Sequence, residues 1–355
     1  MTVGFFSPLP PARTGVADYS ALLLPALRRR VEIKVNADGN LNLYHIGNNQ
    51  LHAGIYRRAI ERPGVVVLHD AVLHHFALGY FSCESYIEEF VFNFGEWNRS
   101  LAAQLWTTRA QSASDTRYFR YPMLKRLLER QKRIIVHNPG AAAIVKQHVP
   151  DADVVEIPHL YAPHAQVGIA DVERYRHRLT PKPLFGVFGH LRESKRILSI
   201  LRVMSRIPEA ALLLAGEIAS RDLRLAIQPW LNSANVVRVG FQDRKDYWCG
   251  LHVVDACINL RYPIAGETSG ITISSMGIGK PVVMTESAEN SRYPEGSCIH
   301  IPAGISEEAQ LEATIRWLMD HRISARQIGA HAAEYIAEVH AVDRVAALYR
   351  EALIN

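Results

Sequence analysis

Residues 259–286 read NLRYPIAGETSGITISSMGIGKPVVMTE, from Asn259 to Glu286. The stretch opens at the end of an apolar run, DACINL (Asp255 to Leu260), and passes through a small-residue loop, Ala265-Gly266-Glu267-Thr268-Ser269-Gly270. A helical-looking segment, Ile271 to Ile278, follows, then Gly279-Lys280-Pro281 and the β-branched pair Val282-Val283. That order reads strand, glycine-rich turn, helix, strand. Such a turn leaves free N–H groups at a helix N-terminus, where an anionic group can be held. Glu267 is the only carboxylate in the loop. It is a poor phosphate ligand and a good acceptor for hydroxyl groups. A phosphate cradle beside a hydroxyl acceptor points to a ligand that is both sugar and phosphate. The plain alternative is an ordinary crossover with a surface Glu at a helix start.

The same alternation extends in both directions. Upstream lie LFGVFG from Leu184, a helix from about Ser194 to Ile207, ALLLAG, a helix near Arg221 to Leu231, NVVRVG and a helix near Arg244 to His252. The amino-terminal half repeats the scheme: a strand at Val3 to Phe6, a helix from about Ala17 to Arg30, strands at Val31 to Val35, Leu41 to Ile46 and Val65 to His69, a strand at Arg133 to Val136, a helix from about Ala141 to His148, and Val154 to Ile157. Alternating strands and helices with fully apolar strands such as VVVLH predict parallel sheets covered on both faces. Both halves therefore read as Rossmann-like. The expected division is a first domain over 1–165, a proline-bearing linker over 166–183, a second domain over 184–338, and a closing helical segment over 339–355. Residues 71–131 break the rhythm. They are aromatic and helical, which fits helices packed on the sheet or, as a functional alternative, a surface facing an acceptor or a membrane.

Bulk properties narrow the class. The chain has 355 residues, 48% hydrophobic and 21% charged, which suits two globular domains. The net charge of +5 fits anionic nucleotides or a membrane surface, and is too scattered to indicate nucleic acid. The four cysteines form no C-x-x-C pair, so neither a zinc nor a redox motif is expected, and a reducing cytosol fits. No basic segment followed by an apolar core opens the chain, and no apolar run approaches the ~18 residues needed to span a bilayer.

Two such domains place a cleft between the carboxyl ends of their strands, where ligands bind. Four loops follow strands and should face it. Gly15 precedes a helix and would let backbone approach a diphosphate. His69 ends a strand, with His74 and His75 close behind, and is placed to hydrogen-bond a sugar or carry a proton; a structural histidine is the alternative, and the spacing matches no zinc pattern. Arg192 and Lys195, with His190, open a helix after Phe188. Cations there oppose the helix dipole, which makes sense if an anion joins them. The fourth loop carries Glu267. No G-x-x-x-x-G-K-[ST] phosphate loop is present.

Taken together, FFSPLPPARTGVADYS, VVLHDAVLHH, GVFGHLRESKRI, VGFQDRKDYWCGLHVVDACINLRYP and GETSGITISSMGIGKPVV, closed by HAAEYIAEVHAVDRVAALYREAL, resemble the retaining glycosyltransferases of family 4 along almost the whole chain. The resemblance implies the α/β GT-B architecture: two Rossmann-like domains facing across a cleft, with closing helices, the last crossing back to the first domain. It implies transfer of a sugar from a UDP- or GDP-linked donor to a glycan or lipid-linked acceptor, with retention and without a metal. In that likeness Glu267 and His69 contact the reacting sugar. The N–H groups of Thr268, Ser269 and Gly270 cradle it or its phosphate, and Lys195 clamps the diphosphate. His190 stands where the family has Arg, with Arg192 nearby to compensate, and Ser275 stands where the family has a ribose-binding Glu. The resemblance also implies an enzyme of cell-surface polysaccharide synthesis with no cofactor, either cytoplasmic or peripheral on the inner face of the membrane; the scattered charge gives no nucleic-acid partner. A nucleotide-sugar epimerase of the same fold and a non-catalytic binding subunit are the rival readings.

Overall fold

The computed structural model describes residues 1–163 and 167–354. The expected boundary between residues 165 and 166 lies outside the described residues, as does position 355.

The first half builds one parallel sheet from β1 (Thr2–Phe6), β2 (Glu32–Val35), β3 (Leu41–Ile46), β4 (Val65–Leu68), β5 (Arg133–Val136) and β6 (Val154–Glu156), in the order β2-β1-β3-β4-β5-β6. Helices α1 (Gly15–Arg28) and α2 (Ala53–Glu61) are crossovers between strands. Between β4 and β5 the chain forms α3 (His74–Tyr80), α4 (Cys83–Phe94), α5 (Arg99–Thr107) and α6 (Lys125–Leu128) with no strand, and α7 (Pro139–His148) then leads to β6. The aromatic residues of this helical insert mostly form its own core: Tyr86, Phe90 and Tyr118 are completely buried, whereas Trp97 is 85% exposed.

The second half builds β7 (Leu184–Phe188), β8 (Ala211–Ala215), β9 (Val236–Val239), β10 (Ala256–Asn259), β11 (Val282–Thr285) and β12 (Ile299–Ile301), all parallel, in the order β12-β11-β10-β7-β8-β9. Its helices begin with α8 (Ile169–His177), α9 (Ile197–Ser205), α10 (Arg221–Leu231) and α11 (Arg244–Val253). They continue with α12 (Gly270–Gly277), α13 (Glu307–Asp320), α14 (Arg322–Val339) and α15 (Val342–Ile354). Side-chain oxygens of Thr14, Ser82, Asn138, Ser220, Asp243 and Ser269 cap helix N-termini, satisfying backbone donors that would otherwise be orphaned. β7, β8, β10 and β11 are buried along their whole length, as the unbroken apolar runs require.

Two segments define the ends of the second unit. Within 166–183 the chain is not merely a tether. Helix α8 packs on α11, its buried Tyr175 donating to Gln242 Oε1 at 3.0 Å. Helix α15 packs on α1, where Tyr349 is fully buried and its hydroxyl lies 2.9 Å from that of Tyr19. Arg133 donates to the Ala352 carbonyl at 2.8 Å, so the last helix lies on the first sheet.

Among the described residues no helix is long and apolar enough to cross a membrane.

Candidate functional site

The second sheet reverses its strand order between β7 and β10. The loops leaving the carboxyl ends of those two strands are 189–196 and 260–269. This switch point is where open α/β sheets hold ligands.

The loop after β10 is fixed from below. Asn259 at the strand end donates to Ser269 Oγ at 2.9 Å and to Thr272 Oγ1 at 2.6 Å, and Ser269 accepts from the Thr272 N–H at 3.3 Å to cap α12. Gly266 adopts φ +73°, a left-handed conformation that side chains disfavour. It also lies so close to the first domain that a Cβ would come within 2.5 Å of Ala71 Cβ. With the loop held this way, Thr268, Ser269 and Gly270 direct N–H groups that make no hydrogen bond to the described residues. These are donors for an anion or a hydroxyl oxygen.

Glu267 is not a free carboxylate. It is ion-paired with the Arg261 guanidinium through Oε1, and its Oε2 accepts from the Ala265 N–H at 2.8 Å. Burial pushes its pKa up. The charge of Arg261, with hydrogen bonds from backbone and from Arg261, outweighs burial and holds the carboxyl below its usual range. Arg261 also donates to Ser269 Oγ at 3.1 Å. Arg261 carries no spacing signal in the sequence, and its role appears only when the loop closes on itself.

The loop after β7 supplies cations. Lys195 is 4% exposed and its ammonium donates to the Phe188 carbonyl. Burial first, then the charges of Arg261 and Arg192, push its pKa well below the ordinary lysine range. Gly189, at φ +78°, passes so near that a Cβ would stand 3.2 Å from the Lys195 nitrogen and 2.9 Å from Ile271 Cδ1 at the start of α12. The loop and the helix N-terminus therefore share one small space. Arg192 and His190 are exposed at its rim. Partial desolvation, then Arg192 and Lys195, lower the pKa of His190. Mutually repelling cations thus lie next to unpaired N–H donors, an arrangement of groups suited to an anion.

The first domain meets this loop directly. Ala71 and Val72 donate to the Ala265 carbonyl at 2.9 and 3.1 Å. Asn138, at the start of α7, donates to the Gly266 carbonyl at 3.0 Å and to Thr268 Oγ1 at 2.9 Å. Asp70, next to His69, accepts from the Asn48 N–H at 2.8 Å. Burial raises its pKa to about 6, and the nearby Glu267 charge adds to the rise. His69 is partly buried, with Nε2 3.0 Å from His45 Nδ1. Burial, then His137 and His45, lower its pKa far below 6.5, so it is a neutral imidazole at neutral pH.

Behind His69 lies an array that the sequence does not reveal. The Tyr19 ring sits 4.9 Å from His69, 5.2 Å from His137 and 4.8 Å from His159 between ring centroids. His340 bonds the His159 carbonyl. The imidazoles do not form a metal set: among the described residues no three His, Cys, Asp or Glu side chains are so arranged.

Two expected positions stand apart. Gly15 begins α1 with no described residue within 4 Å of where its Cβ would be, so the space over it is open. Ser275 is 0% exposed, on the core face of α12 with its hydroxyl beside the Cys257 thiol. The sequence expectation placed it on a ribose. The helix turns that face inward with Thr272, Ile273 and Met276, so in this conformation the hydroxyl does not reach the cleft.

No family model and no curated sequence matches the chain. Solved structures do. Sucrose-phosphate synthase from Thermosynechococcus elongatus superposes with a TM-score of 0.70 at 15% identity, covering 99% of each chain. HepE of Anabaena, in complex with UDP-glucose, gives 0.67 at 13% identity with the same coverage. WaaG, a glycosyltransferase involved in lipopolysaccharide biosynthesis, gives 0.64 at 13% identity, covering 99% of this chain and 100% of that one. Two parallel six-stranded sheets, reversed at a switch point and matched along the full chain, give this protein the GT-B architecture of those glycosyltransferases.

Proposed function

We propose that the chain is a nucleotide-sugar-dependent glycosyltransferase that transfers a sugar with retention, without a metal, to a glycan or lipid-linked acceptor. The observation that carries this reading is the convergence at the switch point of Lys195, Arg192 and Arg261 with the unpaired N–H groups of Thr268, Ser269 and Gly270. A nucleoside diphosphate leaving group gains negative charge as the glycosidic bond breaks. Fixed cations and N–H donors lower that barrier because they need no reorganisation. Glu267, held ionised, accepts hydrogen bonds from the hydroxyls of the donor sugar. His69, held neutral, does the same from the first domain. The docked loops fix the acceptor hydroxyl against the anomeric carbon. HepE, which has the same fold, has been captured with UDP-glucose and with UDP, so a uridine diphosphate sugar is the first donor to try, with GDP sugars second. WaaG acts in lipopolysaccharide biosynthesis, which makes a lipid-linked saccharide the first acceptor. The cytoplasmic face of a membrane is the place where such a donor and acceptor meet.

Turnover tests the reading. Nucleotide should be released in step with a mass gain of one sugar on the acceptor, and the new linkage should keep the donor's anomeric configuration. Replacing Lys195 or Glu267 by Ala should lower transfer about tenfold or more, corresponding to ~1.4 kcal/mol or more of transition-state stabilisation. Consumption of the nucleotide sugar without nucleotide release would instead favour an epimerase. The burial of Ser275 favours a second reading, a non-catalytic binding subunit, because it removes a hydroxyl from nucleotide recognition. Full transfer activity would dismiss it.

A further inference from the structure

A second concave site lies on the opposite side of the second domain, at the amino ends of β7 and β10. Pro183, Phe185, Asp255, Lys280, Arg322 and Arg326 line a pocket of about 260 Å³ there. Among the described residues, Lys280, Arg322 and Arg326 make no ion pair and no side-chain hydrogen bond. Neighbouring cations are treated differently. Between α9 and α13, Arg206 pairs with Glu312 at 2.7 Å and Glu308 at 3.4 Å, and Arg316 with Glu209 at 2.7 Å and Glu312 at 3.0 Å. Among the described residues the only acidic one lining the pocket is Asp255, whose Oδ2 is already engaged by the Leu184 N–H at 2.7 Å.

The placement sets a half-buried cation, Lys280, beside two exposed ones. Arg322 and Arg326 stand one turn apart at the start of α14, where the helix dipole disfavours cations, and like charges four residues apart repel. Lys280 is partly buried. Burial pulls its pKa down, Asp255 offsets part of this, and Arg176 adds to the fall. An anion in the pocket reverses each of these penalties. The volume lies below the roughly 300–1,000 Å³ of pockets that take drug-sized ligands, which fits a phosphate or diphosphate group.

We propose that Lys280, Arg322 and Arg326 form a phosphate-binding pocket, separate from the cleft, that takes a small phosphate or diphosphate group. Part of its wall, Gly279 to Pro281, is the turn that ends α12. That helix starts at the N–H groups of the candidate site, about 12 Å away along its axis.

Calorimetric titration of inorganic diphosphate at fixed ionic strength tests the pocket. It needs no assumption about transfer activity, so its failure and that of the glycosyltransferase reading are distinct. Diphosphate should bind the wild type and the Lys195→Ala protein. In the Lys195→Ala background, where the cleft is weakened, binding should fall about tenfold or more when Arg322→Ala/Arg326→Ala is added, as expected for loss of charge-assisted hydrogen bonds. Both substituted residues are exposed, and circular dichroism and an unchanged unfolding temperature will confirm that this variant folds. No binding to the wild type, equal binding with and without the double substitution in the Lys195→Ala background, or binding abolished only by Lys195→Ala would overturn the proposal. Vesicles distinguish the source of the phosphate. Co-sedimentation with phosphatidic acid vesicles but not phosphatidylcholine, lost in the double variant, assigns a lipid headgroup. Diphosphate binding without co-sedimentation assigns a free anion.

Discussion

Lys195 shows how a single residue can signal a missing partner. A lysine 4% exposed, bonded to one carbonyl and facing two arginines, has lost much of its hydration, and the Glu267 charge offsets only part of this. The sequence singled out Lys195 and Glu267 because each lies in a loop that follows an apolar strand. It did not single out Arg261 or Asp70, because their importance rests on contacts made only after the loops fold. Ser275 shows the converse. The family resemblance sets it where a ribose-binding Glu would stand, but the helix turns its side chain into the core. Gly15 provides a clean residue-scale prediction. Its backbone is compatible with any residue and nothing in the protein crowds its Cβ. Gly15→Ala should therefore fold normally, with stability unchanged or raised by about 0.4–1 kcal/mol in urea unfolding. If a diphosphate approaches this backbone, nucleotide-sugar affinity should fall by an order of magnitude or so, because the new methyl occupies the space over the helix start. Unchanged affinity would remove Gly15 from the site.

At the scale of elements, the notable feature is that the loop after β10 is held by the other domain. Asn138 uses one end of its amide to cap α7, accepting from the Ala141 N–H at 2.7 Å, and the other end to grip Gly266 and Thr268. Asn138→Asp separates these two roles. A carboxylate caps α7 as well or better, but it cannot donate across the cleft and repels the Gly266 carbonyl. This variant should keep the α7 cap while its transfer rate falls about tenfold, with some loss of urea stability from the carboxylate at a position 3% exposed. Asn138→Ala should lose activity and also about 0.5–2 kcal/mol of stability through the missing cap. Wild-type turnover in Asn138→Asp would show that the bridge does not position the loop. The strand–helix alternation that builds these elements was legible in the sequence because apolar strands and capped helices are local patterns. Helix α8 was not legible, since its polar, arginine-rich face hides the one buried anchor, Tyr175.

Across the whole molecule, the buried histidines couple stability to pH. The fold brings His45, His52, His69, His137, His159 and His340 together, while His74 packs separately against Tyr86 and Tyr118. Burial is the leading cause of a lowered pKa in each, to about 4 for His52, His137 and His340 and about 3 for His74 and His159. The unfolded chain protonates these groups near pH 6.5 and the folded one resists until far lower. Their contribution to stability is therefore complete above about pH 6.5 and is lost as pH falls toward 4 and below, by about 1.4 kcal/mol per pH unit for each group charged only when unfolded. The urea midpoint should drop steeply between pH 7 and pH 5. A flat midpoint would mean that the array is hydrated and already protonated in the native state.

The cleft itself is tested by calorimetric titration of UDP, GDP and their sugars into the wild-type protein and the Lys195→Ala variant. A nucleoside diphosphate or its sugar should bind the wild type at one site and bind the variant about tenfold or more weakly, in line with loss of a charged hydrogen bond of ~1.5–3 kcal/mol. No binding of any of these nucleotides, or equal binding to both proteins, would contradict the assignment of the switch-point loops as a nucleotide-sugar site.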